Sequence, residues 1–346
     1  SPAFGQYFFT TISSELGIPR TSILTAKQTK DGALWVGTES GLLRFDGVRF
    51  VSFRNADASA FISHFIYCLY EARDGSLWIG TDHGVVRYHE GKFTHEGLAD
   101  VAVRAIAGDP AGNIWIGTMG RGLFTWRAGE LKDMSAEISP RDRSILSLLV
   151  DTEDRLWIGF YHDPGFVTYK DGVLTRLDAD GQISSVVTSI CESPQGNIWL
   201  GTHSQGVFLL RAGRWKQSDT SVVSRVLQIA PAADGGVWVC ADTVYKIEDP
   251  DTLKLQAVMP GGTDNPGTVT EDHEGNIWIC AKTDGLIRGR WMPFKFVTKT
   301  EGLPGKAVKT VAEDARGNLW LAVQHGGITR ISPDRKISFG LPGDDP

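Results

Sequence analysis

Eight tryptophans recur along the chain at a nearly constant distance, and each of them follows a turn and opens a short apolar run. They are Trp35, Trp78, Trp115, Trp157, Trp199, Trp238, Trp278 and Trp320, with spacings of 43, 37, 42, 42, 39, 40 and 42 residues. The sequence around each tryptophan is a variant of one motif, from DGALWVGT in the first copy to RGNLWLAV in the last. A period near 40 residues over the whole chain predicts a repeat architecture.

The second copy shows what one repeat folds into. Its β-branched and aromatic runs predict strands at residues 65–70, 76–81, 85–88 and 92–94, with a turn at the Asp74-Gly75 dipeptide. Four antiparallel strands in about 40 residues are typical of a β-propeller blade. The sequence therefore predicts an all-β fold, a β-propeller of four-stranded antiparallel blades.

The strand that carries the tryptophan is apolar on both faces, as in Leu34-Trp35-Val36-Gly37. A strand with one solvent-exposed face would alternate between apolar and polar residues. We therefore expect the tryptophans to pack in the core between blades, with the following glycine letting the next blade approach. A ring is favoured over an open solenoid, because a solenoid needs polar caps at both ends and none is visible.

The sequence leaves open how many blades form the ring and which strand closes it. Eight tryptophan units favour eight blades; the alternative is a seven-bladed ring in which the eighth unit starts something else. Residues 7–10 resemble an outer strand and are expected to close the last blade, although residues 336–339 can also serve there. We expect residues 1–346 to form one propeller domain, with a short second hairpin in the sixth unit near residues 241–244.

A Gly-x-Pro tripeptide precedes the first and the eighth tryptophan by about the same distance, at residues 17–19 and 302–304. A third copy at residues 340–342 predicts another tryptophan past the end of the sequence. The chain is therefore expected to be an excised part of a longer protein.

Charge and composition exclude several classes of function. The net charge is -6, without the basic patch that nucleic-acid binding needs. No apolar run of about 18 residues is present, so no membrane segment is predicted. The four cysteines lack CxxC spacing, so neither a metal nor a cofactor is predicted, and Cys240 and Cys280 are expected to be small buried residues.

The loops between the second and third strands start a few residues after each tryptophan and differ from one repeat to the next. In a propeller they reach one end of the ring together with the loops that lead into the inner strands. Half of the eight histidines fall in them. The candidate ligand-binding residues of these loops are His83, Arg121, Tyr161, His162, His203, Lys282 and His325.

The loops that lead into the inner strands add a second group of candidates. These are Arg20, His64, Arg143 and Lys306. Together the cations predict attraction for a carboxylate or a sulfated sugar. The competing interpretation is that these residues are ordinary polar surface loops. The four histidines come from units spread around the ring, which argues against one shared metal ion.

The repeated phrase D-x-x-G-x-[LI]-W-[IV]-G-T-x-x-G-[LV] resembles the two-component regulator propeller repeat. The good copies are residues 31–42, 74–85 and 195–207, while units six to eight replace Gly-Thr by Cys-Ala, Cys-Ala and Ala-Val. The resemblance implies a periplasmic or otherwise extracytoplasmic sensor domain of a membrane-anchored bacterial receptor. The output module, a histidine kinase or a diguanylate cyclase, would then lie outside this chain.

Two weaker resemblances point to enzymes. The turn before the tryptophans is similar to the Asp-box turn of sialidases, which also places Asp-x-Gly shortly before a tryptophan, and streptogramin lyase is another propeller. No HExxH or GxSxG signature and no paired carboxylates appear, so no catalytic residues are assigned and the chain is not expected to be an enzyme. We expect a sensor that recognises a small molecule or a glycan fragment and self-associates in its receptor. The alternatives are a protein–protein interaction scaffold and, after it, a propeller lyase or glycosidase.

Overall fold

The computed structural model describes residues 6–12, 17–18, 21–53, 64–138, 142–176, 182–259, 266–283, 285–292, 297, 302–305, 307–333 and 337–339. Two compact units make up the chain. One unit is Tyr7–Trp291, and the other combines Ser1–Gln6 with Met292–Pro346. The single domain over residues 1–346 stays a prediction, and the two units are described in turn.

The strands of the larger unit form seven four-stranded antiparallel sheets, numbered as blades 1 to 7. The first strand of the chain, β1 (Gln6–Ile12), is followed by blade 1 with β2 (Ile23–Gln28), β3 (Leu34–Thr38), β4 (Gly41–Phe45) and β5 (Phe50–Ser52). Blade 2 holds β6 (Ile66–Glu71), β7 (Leu77–Thr81), β8 (Gly84–His89) and β9 (Lys92–Gly97). Blade 3 holds β10 (Val103–Gly108), β11 (Ile114–Thr118), β12 (Leu123–Arg127) and β13 (Glu130–Asp133), and is followed by the short helix α1 (Ser135–Ile138).

The later blades repeat the same order of strands. Blade 4 holds β14 (Ile145–Val150), β15 (Leu156–Phe160), β16 (Phe166–Lys170) and β17 (Val173–Arg176). Blade 5 holds β18 (Val187–Glu192), β19 (Ile198–Thr202), β20 (Val207–Arg211) and β21 (Arg214–Gln217). Blade 6 holds β22 (Gln228–Pro231), β23 (Val237–Cys240), β24 (Val244–Ile247) and β25 (Leu255–Ala257), and blade 7 holds β26 (Pro266–Glu271), β27 (Ile277–Ala281) and β28 (Gly285–Met292).

An eighth sheet of the same pattern lies in the smaller unit, with β29 (Val308–Glu313), β30 (Leu319–Val323), β31 (Gly327–Ile331) and β32 (Ile337–Phe339). The predicted all-β propeller with eight four-stranded antiparallel sheets is confirmed. The sixth repeat has the short second hairpin that its sequence predicts, with only four residues in β24 and three in β25.

The ring closes between blade 7 and blade 1. Strand β1 pairs with β28 as the outer strand of blade 7, and β26 packs against β2. The Thr268 hydroxyl donates to the Leu24 carbonyl at 3.3 Å, and the His273 N–H donates to the Gln28 side-chain oxygen at 2.6 Å. The closed ring therefore holds seven of the eight sheets, which is the alternative count that the sequence left open. The outer strand of the eighth sheet is β32, so residues 7–10 and 337–339 belong to different sheets.

The repeat tryptophans hold neighbouring blades together. Seven clusters of buried apolar residues each combine one blade's tryptophan with the inner strands of the next blade. Trp78 packs on Val103 of blade 3, and Trp278 packs on Ile23 of blade 1, which completes the circle. The predicted core role is confirmed for these seven tryptophans, which are at most 8% exposed.

In several repeats the indole N–H group has a partner in the turn before the tryptophan strand. Trp115, Trp157 and Trp278 donate to the carboxylates of Asp109, Asp151 and Asp272 at 3.1, 2.7 and 2.7 Å. Each aspartate lies six residues before its tryptophan. The repeat therefore satisfies the polar end of a buried indole locally.

The glycine two residues after the tryptophan lies where the next blade approaches most closely. A Cβ atom on Gly80 would meet the Cys68 sulfur and lie 2.9 Å from the Val103 carbonyl oxygen. Gly37 and Gly201 are similarly crowded by Ile66 and Val226 of the following blades. The absence of a side chain here is thus a packing requirement, as the sequence predicts.

The eighth sheet exposes apolar positions that the ring blades bury. Val308 is 43% exposed and Leu319 is 40% exposed, whereas the corresponding Ile66 and Leu77 of blade 2 are 0% and 1% exposed. Trp320, too, is only partly buried. The sequence of the repeat alone therefore does not ensure burial of the tryptophan strand.

Candidate functional site

Two kinds of loop meet at one end of the ring, as the repeat predicts. In blades 1 to 5 the loop between the second and third strands bonds to the segment that leads into an inner strand. The Met119 N–H donates to the Ala102 carbonyl at 2.9 Å, the Tyr161 N–H to the Ser144 carbonyl at 2.9 Å, and the His203 N–H to the Val186 carbonyl at 2.9 Å. We call this end the loop face.

A repeat threonine fixes the conformation of several of these loops. Thr81 accepts a hydrogen bond from the His83 N–H at 3.0 Å and donates to the Gly84 carbonyl at 3.0 Å. Thr202 bonds the Gln205 N–H and the Gly206 carbonyl in the same way, at 3.0 and 2.7 Å. This explains the Gly-Thr of the motif: the hydroxyl serves both sides of a tight turn.

Blade 4 lacks this threonine and holds its loop with a carboxylate. Phe160 replaces the threonine, and one oxygen of Asp142 accepts from the N–H groups of His162 and Asp163 at 2.7 and 3.0 Å. The other oxygen bonds the Ser144 N–H at 2.8 Å and lies 3.3 Å from Nδ1 of His162. Asp142 is only 7% exposed. Burial alone would raise the pKa of its carboxyl group, but these hydrogen bonds outweigh burial and lower it.

The structure brings four of the predicted residues into linked loops of blades 3 and 4. The N–H groups of Gly120 and Gly122, on either side of Arg121, donate to the Arg143 carbonyl at 3.1 and 2.7 Å. Both arginines are exposed. Tyr161 and His162 follow in the next loop, with their rings 4.8 Å apart. This group makes a cationic and aromatic stretch of the loop face.

The remaining predicted residues lie in separate loops. His83 is exposed in blade 2, where its Nδ1 lies 3.3 Å from an Asp82 carboxylate oxygen, and the exposed His64 precedes the inner strand of that blade. His203 and Lys282 are exposed in blades 5 and 7. His325 belongs to the smaller unit. Arg20 and Lys306 lie outside the described residues.

A channel of about 810 Å³ runs through the middle of the ring. All seven inner strands line it, together with Glu39 and Lys282 from the loop face. This volume lies within the range of small-molecule sites in proteins.

The first tier of the channel at the loop face consists of one residue in or directly before each inner strand. In blades 1 to 5 and in blade 7 this residue is skipped in the pairing with the second strand, which marks a β-bulge. The tier consists of Leu24, Tyr67, Arg104, Leu146, Thr188, Leu227 and Gly267. Sequence reasoning missed these residues, although each of them precedes its repeat tryptophan by 11 residues.

Arg104 and Tyr67 form the most distinctive contact of this tier. The guanidinium carbon of Arg104 lies 4.2 Å from the centre of the Tyr67 ring, and that ring lies 4.8 Å from the ring of Phe65. All three side chains are half-buried. Within the described residues, Arg104 has no carboxylate partner in an ion pair.

The neutral polar groups of the channel wall are engaged between blades. The hydroxyl of Ser147 donates to the Val187 carbonyl at 3.2 Å, and that of Ser189 to the Ile229 carbonyl at 3.3 Å. Thr188 donates to the Val226 carbonyl at 3.0 Å. These side chains tie blade 4 to blade 5 and blade 5 to blade 6, so the charged residues are prominent among the groups left to meet a ligand.

The cysteines and the candidate metal ligands give no second site. All four cysteines are free thiols, and Cys240 and Cys280 are 0% and 1% exposed, which confirms that they are small buried residues. Burial raises the pKa of the Cys280 thiol to about 12. In the part of the chain that the structure describes, no group of three or more metal-ligating side chains occurs.

Comparison with protein families identifies the repeat. Residues 60–83, 97–120 and 181–204 match the family described as two component regulator propeller. The chain carries two-component regulator propeller repeats. The three matches fall on the second, third and fifth repeats and end in the loop-face segments, so the resemblance drawn from the sequence is confirmed.

Solved structures with a similar fold include two-component and lyase propellers. An extracellular domain assigned to the hybrid two component system BT3049 of B. thetaiotaomicron is 21% identical, with a TM-score of 0.79 over 96% of this chain and 49% of that one. The corresponding domain of BT4673 is 19% identical, with a TM-score of 0.66 over 99% and 48%. Virginiamycin B lyase from Staphylococcus aureus is 14% identical, with a TM-score of 0.68 over 82% and 99%.

These likenesses support the fold of the propeller. The chain spans about half the length of the two extracellular domains that it matches. Comparison with curated protein sequences gives no match. Among the described residues, no helix has the length and apolarity needed to cross a membrane.

Proposed function

We propose that this chain is the ligand-binding propeller of an extracytoplasmic bacterial signalling receptor. Its ligand, a small molecule or a glycan fragment, binds at the loop-face mouth of the seven-bladed channel. The chain passes the binding event to an output module elsewhere in the receptor and does not itself catalyse a reaction.

The observation that carries this proposal is the difference between the channel side chains that are already hydrogen-bonded and the charged side chains that are not paired with one another. The hydroxyls of Ser147 and Ser189 are bonded between blades, while Arg104, Lys282 and Glu39 line the same space, with Lys27 farther along β2, and no ion pair joins them. Charged side chains that a rigid ring brings to one concave mouth are typical of a binding site. The family of the repeat and the two-component systems among the similar folds support the signalling role.

A thermal-shift screen of the whole chain tests this function. The panel contains neutral sugars, oligosaccharides, organic acids and amines. We expect one chemical class to raise the melting temperature in a concentration-dependent manner, because a ligand that binds only the folded state stabilises it. The shift should shrink in Lys282→Gln and persist in Arg214→Gln, since Arg214 is exposed on the outer strand β21, outside the channel lining.

Two results would contradict the proposal. The first is a panel in which no class changes the melting temperature, which favours the interaction scaffold. The second is a ligand whose shift is the same in Lys282→Gln and in the unmodified chain, and also in Arg104→Gln. That ligand would bind away from the channel mouth.

A further inference from the structure

We propose that the mouth of the channel is a site for a small organic carboxylate with an apolar body, and that Arg104 binds the carboxylate group. This inference rests on the proposed function and names the chemical class of its ligand. It concerns first-tier residues that no loop motif marks.

The first step is the orientation of the guanidinium group. The guanidinium carbon of Arg104 lies over the Tyr67 ring, 4.2 Å from its centre, and the Tyr67 ring packs on Phe65 with 4.8 Å between the ring centres. A guanidinium stacked by its face keeps its N–H edges available in a fixed plane. Two parallel N–H donors match the two oxygens of a carboxylate, and this geometry is lost in a lysine.

The second step is the balance of charge at the mouth. At the loop-face end of the channel, Arg104 and Lys282 contribute two positive charges and Glu39 contributes one negative charge, while Lys27 lines the channel near the other end of β2. The remaining surplus of one positive charge contrasts with the chain's net charge of -6. A local positive field inside an acidic protein selects a monoanion, and Glu39 disfavours a dianion such as sulfate or phosphate.

The third step is the nature of the rest of the channel wall in the first tier. Leu146 and Leu227 face the channel from blades 4 and 6, and Leu24 does so from blade 1. Thr188, between the first two of them, has already used its hydroxyl on the Gly201 and Val226 carbonyls at 3.0 Å each. This wall offers apolar surface and few free polar groups. A ligand with an apolar body therefore fits better than one covered with hydroxyl groups.

The experiment uses the whole chain and four probes: benzoate, hexanoate, benzyl alcohol and glucose. Titration calorimetry and thermal shift should show binding of benzoate or hexanoate and none of benzyl alcohol. Arg104→Gln should weaken carboxylate binding at least tenfold. Arg104→Lys should bind the carboxylates more tightly than Arg104→Gln but more weakly than the unmodified chain, because lysine keeps the positive charge but lacks the two parallel N–H donors. Arg214→Gln should bind as the unmodified chain does.

The outcomes separate this inference from the proposed function. Failure of both carboxylates to bind overturns the inference. If glucose or benzyl alcohol binds instead, and Lys282→Gln weakens it, the mouth is a ligand site but the carboxylate assignment is wrong. Equal affinity of benzoate for the unmodified chain and for Arg104→Lys removes the role of the guanidinium plane. The melting temperature and circular dichroism of each variant without ligand serve as folding controls.

Discussion

The indole N–H of a repeat tryptophan is buried away from water and needs a hydrogen-bond acceptor. The indole of blade 5 lacks one. Trp199 is 0% exposed, and within the described structure its Nε1 and the Ser193 hydroxyl are both buried without a hydrogen-bond partner. The third, fourth, seventh and eighth repeats carry aspartate where Ser193 stands. In blade 7, Asp272 also accepts from Asn276, and blade 5 already has Asn197 at that position.

Replacing Ser193 by aspartate should therefore stabilise the protein. The new carboxylate would accept from the Trp199 indole and from Asn197, as Asp272 does from its neighbours. We expect Ser193→Asp to raise the free energy of unfolding by about 1 kcal/mol, measured by urea denaturation. The matched reverse change, Asp272→Ser, should lower it. A loss of stability in Ser193→Asp would show that the acceptor role of the turn aspartate does not transfer between blades.

Asp142 gives the loop of blade 4 a dependence on pH. Its pKa is lowered in the folded state because its hydrogen bonds outweigh burial. The stabilisation is therefore complete above the unfolded carboxyl pKa of about 4 and is lost as the pH falls through the lower folded value. The melting temperature between pH 7 and pH 2 should fall less steeply in Asp142→Asn than in the unmodified chain. Parallel curves would mean that Asp142 does not couple the loop to pH.

At the scale of the element, the space for the next blade is set by one glycine in the tryptophan strand. A methyl group on Gly80 would lie 2.9 Å from the Val103 carbonyl, which is backbone and cannot turn away. We expect Gly80→Ala to cost about 1–3 kcal/mol of unfolding free energy. The control is Ala322→Gly, the corresponding position of the eighth sheet, where the strand is partly exposed and little should change. A neutral Gly80→Ala would contradict the close approach of the two blades.

The elements show which parts of the structure the sequence could predict. The tryptophan, its turn and the glycine act locally, so their spacing was enough to predict four-stranded blades and buried tryptophans. The first tier of the channel was missed because Arg104 and Tyr67 lie at bulges, which carry no residue type in common. The constant distance of 11 residues to the tryptophan was present in the sequence, but only the bulge shows that this position faces the channel.

At the scale of the whole molecule, the number of blades in the ring could not be predicted from the sequence, because ring closure depends on contacts between residues that are far apart in the chain. The partner of β1 is β28, almost the whole ring away along the chain, and both the seventh and the eighth sheet were suitable by sequence. Tyr7 of β1 packs on Trp238 and Trp291 with ring distances of 5.5 and 5.2 Å. These contacts between distant segments decide the closure.

Two deletions test the closure. Removing residues 1–12 takes away the outer strand of blade 7 and the contacts of Tyr7, so the melting temperature should fall sharply. Ending the chain at Met292 leaves all seven blades complete, and the ring should unfold cooperatively near its original temperature. Calorimetry of both proteins is the measurement. A ring that tolerates loss of β1 but collapses without residues 293–346 would contradict seven-bladed closure.

The proposal that the ring binds its ligand at the mouth of the channel is tested most directly by hydrogen–deuterium exchange with the best ligand of the screen. We predict slower exchange in the loop-face segments and inner-strand starts around Tyr67, Arg104 and Lys282, with the outer strands and β29–β32 unchanged. Protection confined to the outer strands or to residues 292–346 would contradict a ligand site at the mouth of the ring.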